Sequence, residues 1–444
     1  MNVLTRVPRD GCDVAVVGGG FAGAVAAREL SRGGNSVVMV EARDRLGGRT
    51  WRRADALPGL DLEMGGTWID PRQPYSWGEA RRYGAAVGAP VYGAPPNIWR
   101  VGGELRRGVI PIAFDAMGEL ERVIRALGEA AERIDPGAPL AGQGVADLDV
   151  SIDEFLADLN LSQETREVSS VYLGAYCSAY SEHASALHIV RRIAAAGSFA
   201  EFVLSGASYP LTEGTSWLLS AIMDDSAACA VLEAPVTRIE QDEDGITVIS
   251  ARGVLRARVG IVCVPVNVLK DIEFDPPLSA EKMTVSEQEL ACTGIKVWAL
   301  VKGGLAGFSA CGRGAGLDML WSERLVDEDA TLLVGYGPDA EILDASDVTA
   351  VQAAVRAFLP EAEVLACAGH DWRHDRYSQE TWAVFRPGQL SRFESHLRAP
   401  ERRLLFGGSH TALRWPGFID GAIESGYRTA QEATEILSGA RRGG

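Results

Sequence analysis

Cysteine and histidine are too few and too scattered to build a metal site or a disulfide scaffold. The seven cysteines (Cys12, Cys177, Cys229, Cys263, Cys292, Cys311 and Cys367) are odd in number and form no CxxC pair, which argues against both a zinc knuckle and a disulfide framework. Of six histidines only His370 and His374 lie close together, and hydrogen-bonded or solvated side chains are the better reading of that pair. No run approaches the ~18 apolar residues of a membrane span. The opening residues MNVLTRVPRDGC hold no apolar core of signal-peptide length. Positive charge is in deficit: 43 Lys and Arg against 60 Asp and Glu leave a net charge of −17. Such a chain neutralises phosphates poorly, so neither nucleic acid nor an anionic membrane surface is an expected partner. Repeats and low-complexity tracts are missing. The expectation is a cytoplasmic globular protein without metal.

What is present is a large apolar fraction, 47% of 444 residues, enough for two or three domains at roughly 150 residues each. Near the start, residues 13–17 (DVAVV) form a short apolar run that ends in GGGFAG. A helical pattern follows to about Ser31, then a second apolar run, residues 36–40 (SVVMV), ending at Glu41. This order predicts strand, glycine turn, helix, strand and a terminal acid. Gly18, Gly20 and Gly23 fit G-x-G-x-x-G. The first makes the tight turn, the second lets a pyrophosphate approach, and the third lets helix pack on strand. With Ala22 they place an anion at the helix amino terminus, where N–H groups and the dipole favour it. Glu41 falls where a carboxylate accepts from ribose hydroxyls. The glycines alone do not choose between NAD and FAD.

The next stretch, EARDRLGGRT at residues 41–50, resembles the extended fingerprint of the FAD-containing amine oxidases. EMGGTWID at residues 63–70 continues the resemblance. It implies an α/β fold: a Rossmann-like FAD-binding domain of the glutathione-reductase and amine-oxidase type, with an inserted α+β substrate-binding domain. It implies cofactor contacts from Arg43, Gly48 and Arg49, the last bringing a fixed positive charge to the pyrophosphate, and from Gly66, Thr67 and Trp68 beside the flavin ring. Val236 would add a further contact.

The pattern along the rest of the chain is mixed. Residues 90–97 are a breaker-rich connection. Residues 115–134 read as an amphipathic helix with Met117, Leu120, Ile124, Leu127, Ala131 and Ile134 on one face. Ser151 and Glu154 resemble a capping box. Residues 236–241, 246–250 and 254–258 read as three short strands, followed by a separate buried strand at 259–264. The expected division is 1–85, 210–290 and 395–444 for FAD, and 86–209 and 291–394 for substrate.

Three constellations carry the expected chemistry. Lys296, in GIKVWALVKG, would point into an interior where a lysine needs partners or loses its proton. The resemblance gives it the role of holding a water against the flavin. In HDWRHDRYSQETWAVFRPGQ, residues 370–389, Thr381 stands where monoamine oxidases carry the cysteine tethered to FAD. That implies noncovalent FAD, with Trp382 as one aromatic wall and Glu380 in place of a glycine. In LLFGGSHTALRWPGFIDGAIESGYRTA, residues 404–430, the resemblance brings backbone amides of Gly408 and Ser409 to the cofactor. There Phe418 is the second wall, and Ile419 opens a helix whose positive end faces the flavin. His410 stands where many relatives have an acid. Two parallel ring faces would guide a neutral amine. Tyr176 and Trp321 are candidates to line the same pocket. The chain looks closest to bacterial 6-hydroxynicotine oxidase-like enzymes, although Ala175 stands where those carry an asparagine. The expected activity is oxidation of a small primary or secondary amine to an imine, with O2 reduced to H2O2. The partners are the amine and O2, and a homodimer is left open. An L-amino-acid oxidase, a flavin desaturase or dehydrogenase, and a non-catalytic FAD scaffold are the alternatives.

Overall fold

The computed structural model describes residues 2–8, 10–90, 96–206 and 208–442. A nine-stranded sheet forms from three distant stretches of chain. Its parallel half runs Asn2–Leu4, Cys229–Val231, Val37–Val40, Cys12–Val17 and Gly253–Val262. Leu404–Phe406 adds in parallel beside Gly260, Ile261 and Val262. Val14, Val16, Met39 and Ile261 point into one core with the helix Phe21–Arg32. Ala15, Val17, Val38 and Val262 point into the other. Burial on both faces explains why these strands read as unbroken apolar runs.

Residues 254–264, expected as two strands, are one continuous strand, Gly253–Val262. Its first half pairs antiparallel with Ile246–Ser250 and its second half parallel with Leu404–Phe406. Gly260 marks the change of neighbour without breaking the strand. A Cβ there would meet Ile246 Cδ1 at 2.5 Å and Leu404 Cδ2 at 2.7 Å, so packing and not a turn requires the glycine.

A second, seven-stranded sheet runs Val364–Gly369, Ile295–Lys302, Ala330–Gly337, Met319–Asp327, Ser309–Gly312, Ile98–Val101 and Glu104–Arg107. Ile295, Val297, Ala299 and Val301 pack on the helix Val348–Arg356. Trp298, on the opposite face, packs on Leu57, Leu62 and Met64. That face seats the second sheet on the separate two-stranded hairpin of Arg52–Leu57 and Leu60–Glu63.

The helix expected over 115–134 spans Met117–Glu132, after a 3-10 turn at Phe114–Ala116. Its buried stripe is Val123, Leu127, Ala130 and Ala131, while Ile124 is 46% exposed. A one-residue error in the stripe rotates a face by about 100°, which is enough to turn Ile124 outward. The Ser151 capping box is present, with Ser151 Oγ accepting from Glu154 N at 3.1 Å and Glu154 accepting from Ser151 N at 2.8 Å. Most of the connection at 90–97 lies outside the described residues. Among the described residues no helix is long and apolar enough to cross a membrane.

Candidate active site

A cleft of about 290 Å³ runs along the carboxyl ends of the parallel strands and ends against the second sheet. At one end it is built from the glycine turn. Gly20 is the N-cap of the helix Phe21–Arg32, and no side chain caps that terminus. A Cβ on Gly20 would find no protein atom nearer than Gly47 O at 3.9 Å, so the cleft passes close to bare backbone there. Gly23 lies behind the turn and not on the cleft. A Cβ on it would stand 2.1 Å from Gly18 O, so this glycine serves helix-to-strand packing. Glu41 is buried and its carboxylate accepts from Gly19 N at 2.7 Å and Arg43 N at 2.8 Å. Burial pushes its carboxyl up, against the pull of those two amides.

Gly18, Gly20, Ala22, Glu41, Arg43, Gly48, Arg49, Gly66, Thr67, Trp68, Val236, Gly408, Ser409 and Ile419 all border the cleft, as do Lys296, Trp382 and Phe418. Tyr176 and Trp321 do not. Tyr176 packs on Phe202 with ring centroids 4.9 Å apart, and its hydroxyl donates to Val203 O at 3.3 Å. Trp321 is stacked behind Tyr336 at 5.5 Å, and it is Tyr336 that reaches the cleft. Tyr336 is the cross-strand partner of Lys296, a neighbour that only the strand pairing reveals. Trp372, Arg376 and Tyr377 also line the cleft; they lie inside the 370–389 block but carry no distinguishing local signal.

Lys296 is 3% exposed. Its Nζ donates to Glu63 O and Gly65 O, both at 3.1 Å, and to Thr67 Oγ1, and lies over the rings of Trp68 and Trp298 at 4.8 and 4.5 Å. Trp298 Nε1 donates to Glu63 O at 2.8 Å and Trp372 Nε1 to Met64 O at 3.0 Å. Side chains of the second sheet and of the segment after its edge strand thus clamp the backbone of residues 63–65. Burial draws the Lys296 amine down to about 7, with the Glu63 and Glu323 carboxylates pulling the other way. A protonated Lys296 has all three donors engaged within the protein, so only the neutral amine leaves a lone pair unused.

Arg49 is not free to meet an anion alone. Its Nη1 pairs with Glu380 Oε1 at 2.5 Å, and Glu380 is fully buried. Glu380, standing where the resemblance implies a glycine, therefore neutralises the arginine expected to supply positive charge. Gly408 N donates to Ser425 Oγ at 2.9 Å, so its amide is engaged within the protein as well. The aromatic pair differs from the parallel walls expected. Trp382 and Phe418 meet edge to face, with centroids 5.1 Å apart and planes at 66°. Thr381 Oγ1 donates to Gly294 O at 2.7 Å, which fixes the hydroxyl at the cleft wall.

The cleft suits an extended dinucleotide: bare glycine backbone and an uncapped helix terminus for phosphates, a buried carboxylate for ribose hydroxyls, and the amino end of the helix Ile419–Arg442 at the other end. Residues 21–434 match the family described as flavin containing amine oxidoreductase. A pseudooxynicotine dehydrogenase of a Pseudomonas species is 33% identical over 436 residues, covering 96% of this chain and 87% of that one. The (S)-6-hydroxynicotine oxidase of Paenarthrobacter nicotinovorans is 32% identical over 416 residues, covering 93% and 97%. Among solved structures, a wild-type putrescine oxidase bound to putrescine superposes with a TM-score of 0.84 at 26% identity, covering 96% and 99%.

Proposed function

Because the chain belongs to the flavin-containing amine oxidoreductases and takes FAD as its cofactor, we propose that it oxidises a small primary or secondary amine with noncovalently held FAD and O2 as acceptor. The products are an imine, which hydrolyses to a carbonyl compound, and H2O2. FAD, when bound, accepts the hydride equivalent from the carbon bearing nitrogen. Residues 1–85, 210–290 and 395–444 hold FAD, and 86–209 with 291–394 shape the substrate side.

The observation that carries this reading is the convergence of a buried lysine and two aromatic side chains on one cleft with the glycine turn. Glu41 orients ribose hydroxyls. Lys296, with its amine near neutrality, holds or passes a proton at Nζ. Trp382 and Phe418 exclude water and orient the amine. Thr381 cannot form a thioether, which supports dissociable FAD. Seven free cysteines fit a cytoplasmic location.

A panel of amines and amino acids assayed for peroxide tests the proposal, and turnover of amines with peroxide release is expected. Loss of the flavin's visible colour under anaerobic amine, without peroxide in air, would instead establish the second reading. That is a dehydrogenase passing electrons to another acceptor, favoured by the dehydrogenase name of the 33%-identical relative.

A further inference from the structure

Arg192 lies on the helix Ala186–Ala196 and is 1% exposed. Its Nη1 donates to Tyr176 O at 2.7 Å, whereas Nε and Nη2 have no hydrogen-bond partner among the described residues. The adjacent Arg191 has a buried carboxylate, Glu394 Oε1, at 3.4 Å. Arg192 has no ion-pair partner among the described residues. Its guanidinium instead rests on aromatic rings, 4.9 Å from the centroid of Trp382, 4.8 Å from Phe418 and 5.1 Å from Phe202. Trp382 and Phe418 are the two aromatic side chains assigned above to the amine.

Resting on the amine-oxidase reading, we propose that Arg192 makes this cleft selective for the neutral amine, its charge behind the aromatic wall expelling an ammonium. Ring faces attract cations through their quadrupoles. Here those quadrupoles already hold a guanidinium, and a second cation on the same wall meets repulsion in place of a cage. At an effective dielectric near 20, a like charge within about 8 Å lowers a bound amine's proton affinity by about one to two pK units. The amine releases its proton to solvent on entry and keeps the lone pair that oxidation needs.

Among the described residues no neighbouring group offsets this charge near pH 7. Tyr176 and Cys177 are each pushed up to about 12 by burial and are neutral. His188 is held neutral by burial and by Arg192 and Arg191. Glu380 is engaged by Arg49, and Glu394 by Arg191. Arg192 therefore acts through the rings as a specificity-determining residue.

The test follows the rate of anaerobic flavin reduction at saturating amine across pH. In the wild type the acid limb is expected at least about one unit below the free amine's pKa. In Arg192→Gln and Arg192→Met it moves up by about one unit, and Arg192→Lys restores it. An unmoved limb in either neutral variant, folded and loaded with FAD, overturns the proposal. Calorimetry on the wild type gives an independent readout. Benzyltrimethylammonium is expected to bind at least about ten-fold more weakly than its uncharged carbon isostere, neopentylbenzene. Equal or tighter binding of the cation overturns the proposal whatever the variants do. So does faster reduction by a carboxylate-bearing amine than by its parent, lost in Arg192→Gln, because Arg192 would then pair with an anion directly. If no amine reduces the flavin at any pH, the amine-oxidase reading fails, and the isostere comparison still decides Arg192.

Discussion

Lys296 joins near-total burial to two backbone carbonyls and a hydroxyl as acceptors. Its proton is therefore held by local geometry as much as by pH. With its amine drawn down to about 7, one half-reaction is expected to change near pH 7. Lys296→Met should slow that step about ten-fold or more and abolish the pH change while FAD stays bound. Stopped-flow measurement of each half-reaction against pH checks this, and unchanged profiles would remove Lys296 from the chemistry. Asp420 offers a test of stability. It is wholly buried, accepts from Ser76 N at 2.8 Å, and burial pushes its carboxyl up to about 7. A raised folded pKa means that the folded state binds the proton more tightly. The stabilisation is complete below the unfolded value of 3.8 and is lost as pH rises towards 7. Asp420→Asn should thus gain on the wild type between pH 5 and pH 8, by on the order of 1–2 kcal/mol. Denaturation midpoints of the holoenzyme at both pH values measure it.

Elements were legible where one local rule decides them. The run DVAVV, its glycine turn and Glu41 were readable because backbone close approach and burial on both faces each leave a mark in sequence. The Ser151 box was readable because both partners lie three residues apart. Ile124 lies off the buried face because apolar residues stand on both sides of the helix's buried stripe, and only packing chooses between them. The continuity of the strand Gly253–Val262 leaves no local mark because its change of partner depends on residues some 140 positions away. The Arg49–Glu380 pair, the edge-to-face aromatic pair and Arg192 all arise from long-range packing and leave no motif. The glycine turn yields a paired prediction. Gly20→Ala adds a methyl with nothing nearby to strike, so the apoprotein should keep its melting temperature while FAD affinity falls roughly ten-fold. Gly23→Ala drives a methyl into Gly18 O and should lower the apoprotein's melting temperature as well, by on the order of 5 °C. Calorimetry and fluorescence titration with FAD separate the two outcomes.

Across the whole molecule, the cleft is assembled from segments as far apart as Gly18 and Ile419, so FAD binding should act as a clasp. Acid precipitation is expected to release a yellow supernatant from the noncovalent complex, and colour retained in the pellet would refute that attachment. At a FAD concentration about 1,000-fold above its Kd, bound cofactor should add about 4 kcal/mol to stability, read as a rise in melting temperature on titration. The long strand Gly253–Val262 has a further consequence. Its second half waits for Leu404–Phe406, which lies some 140 residues further along the polypeptide. During synthesis that slot stays open, exposing an unpaired hydrogen-bonding edge until Leu404–Phe406 has left the ribosome. A nascent chain halted near residue 400 should therefore recruit chaperones and aggregate, whereas one extended well past Phe406 fills the vacancy.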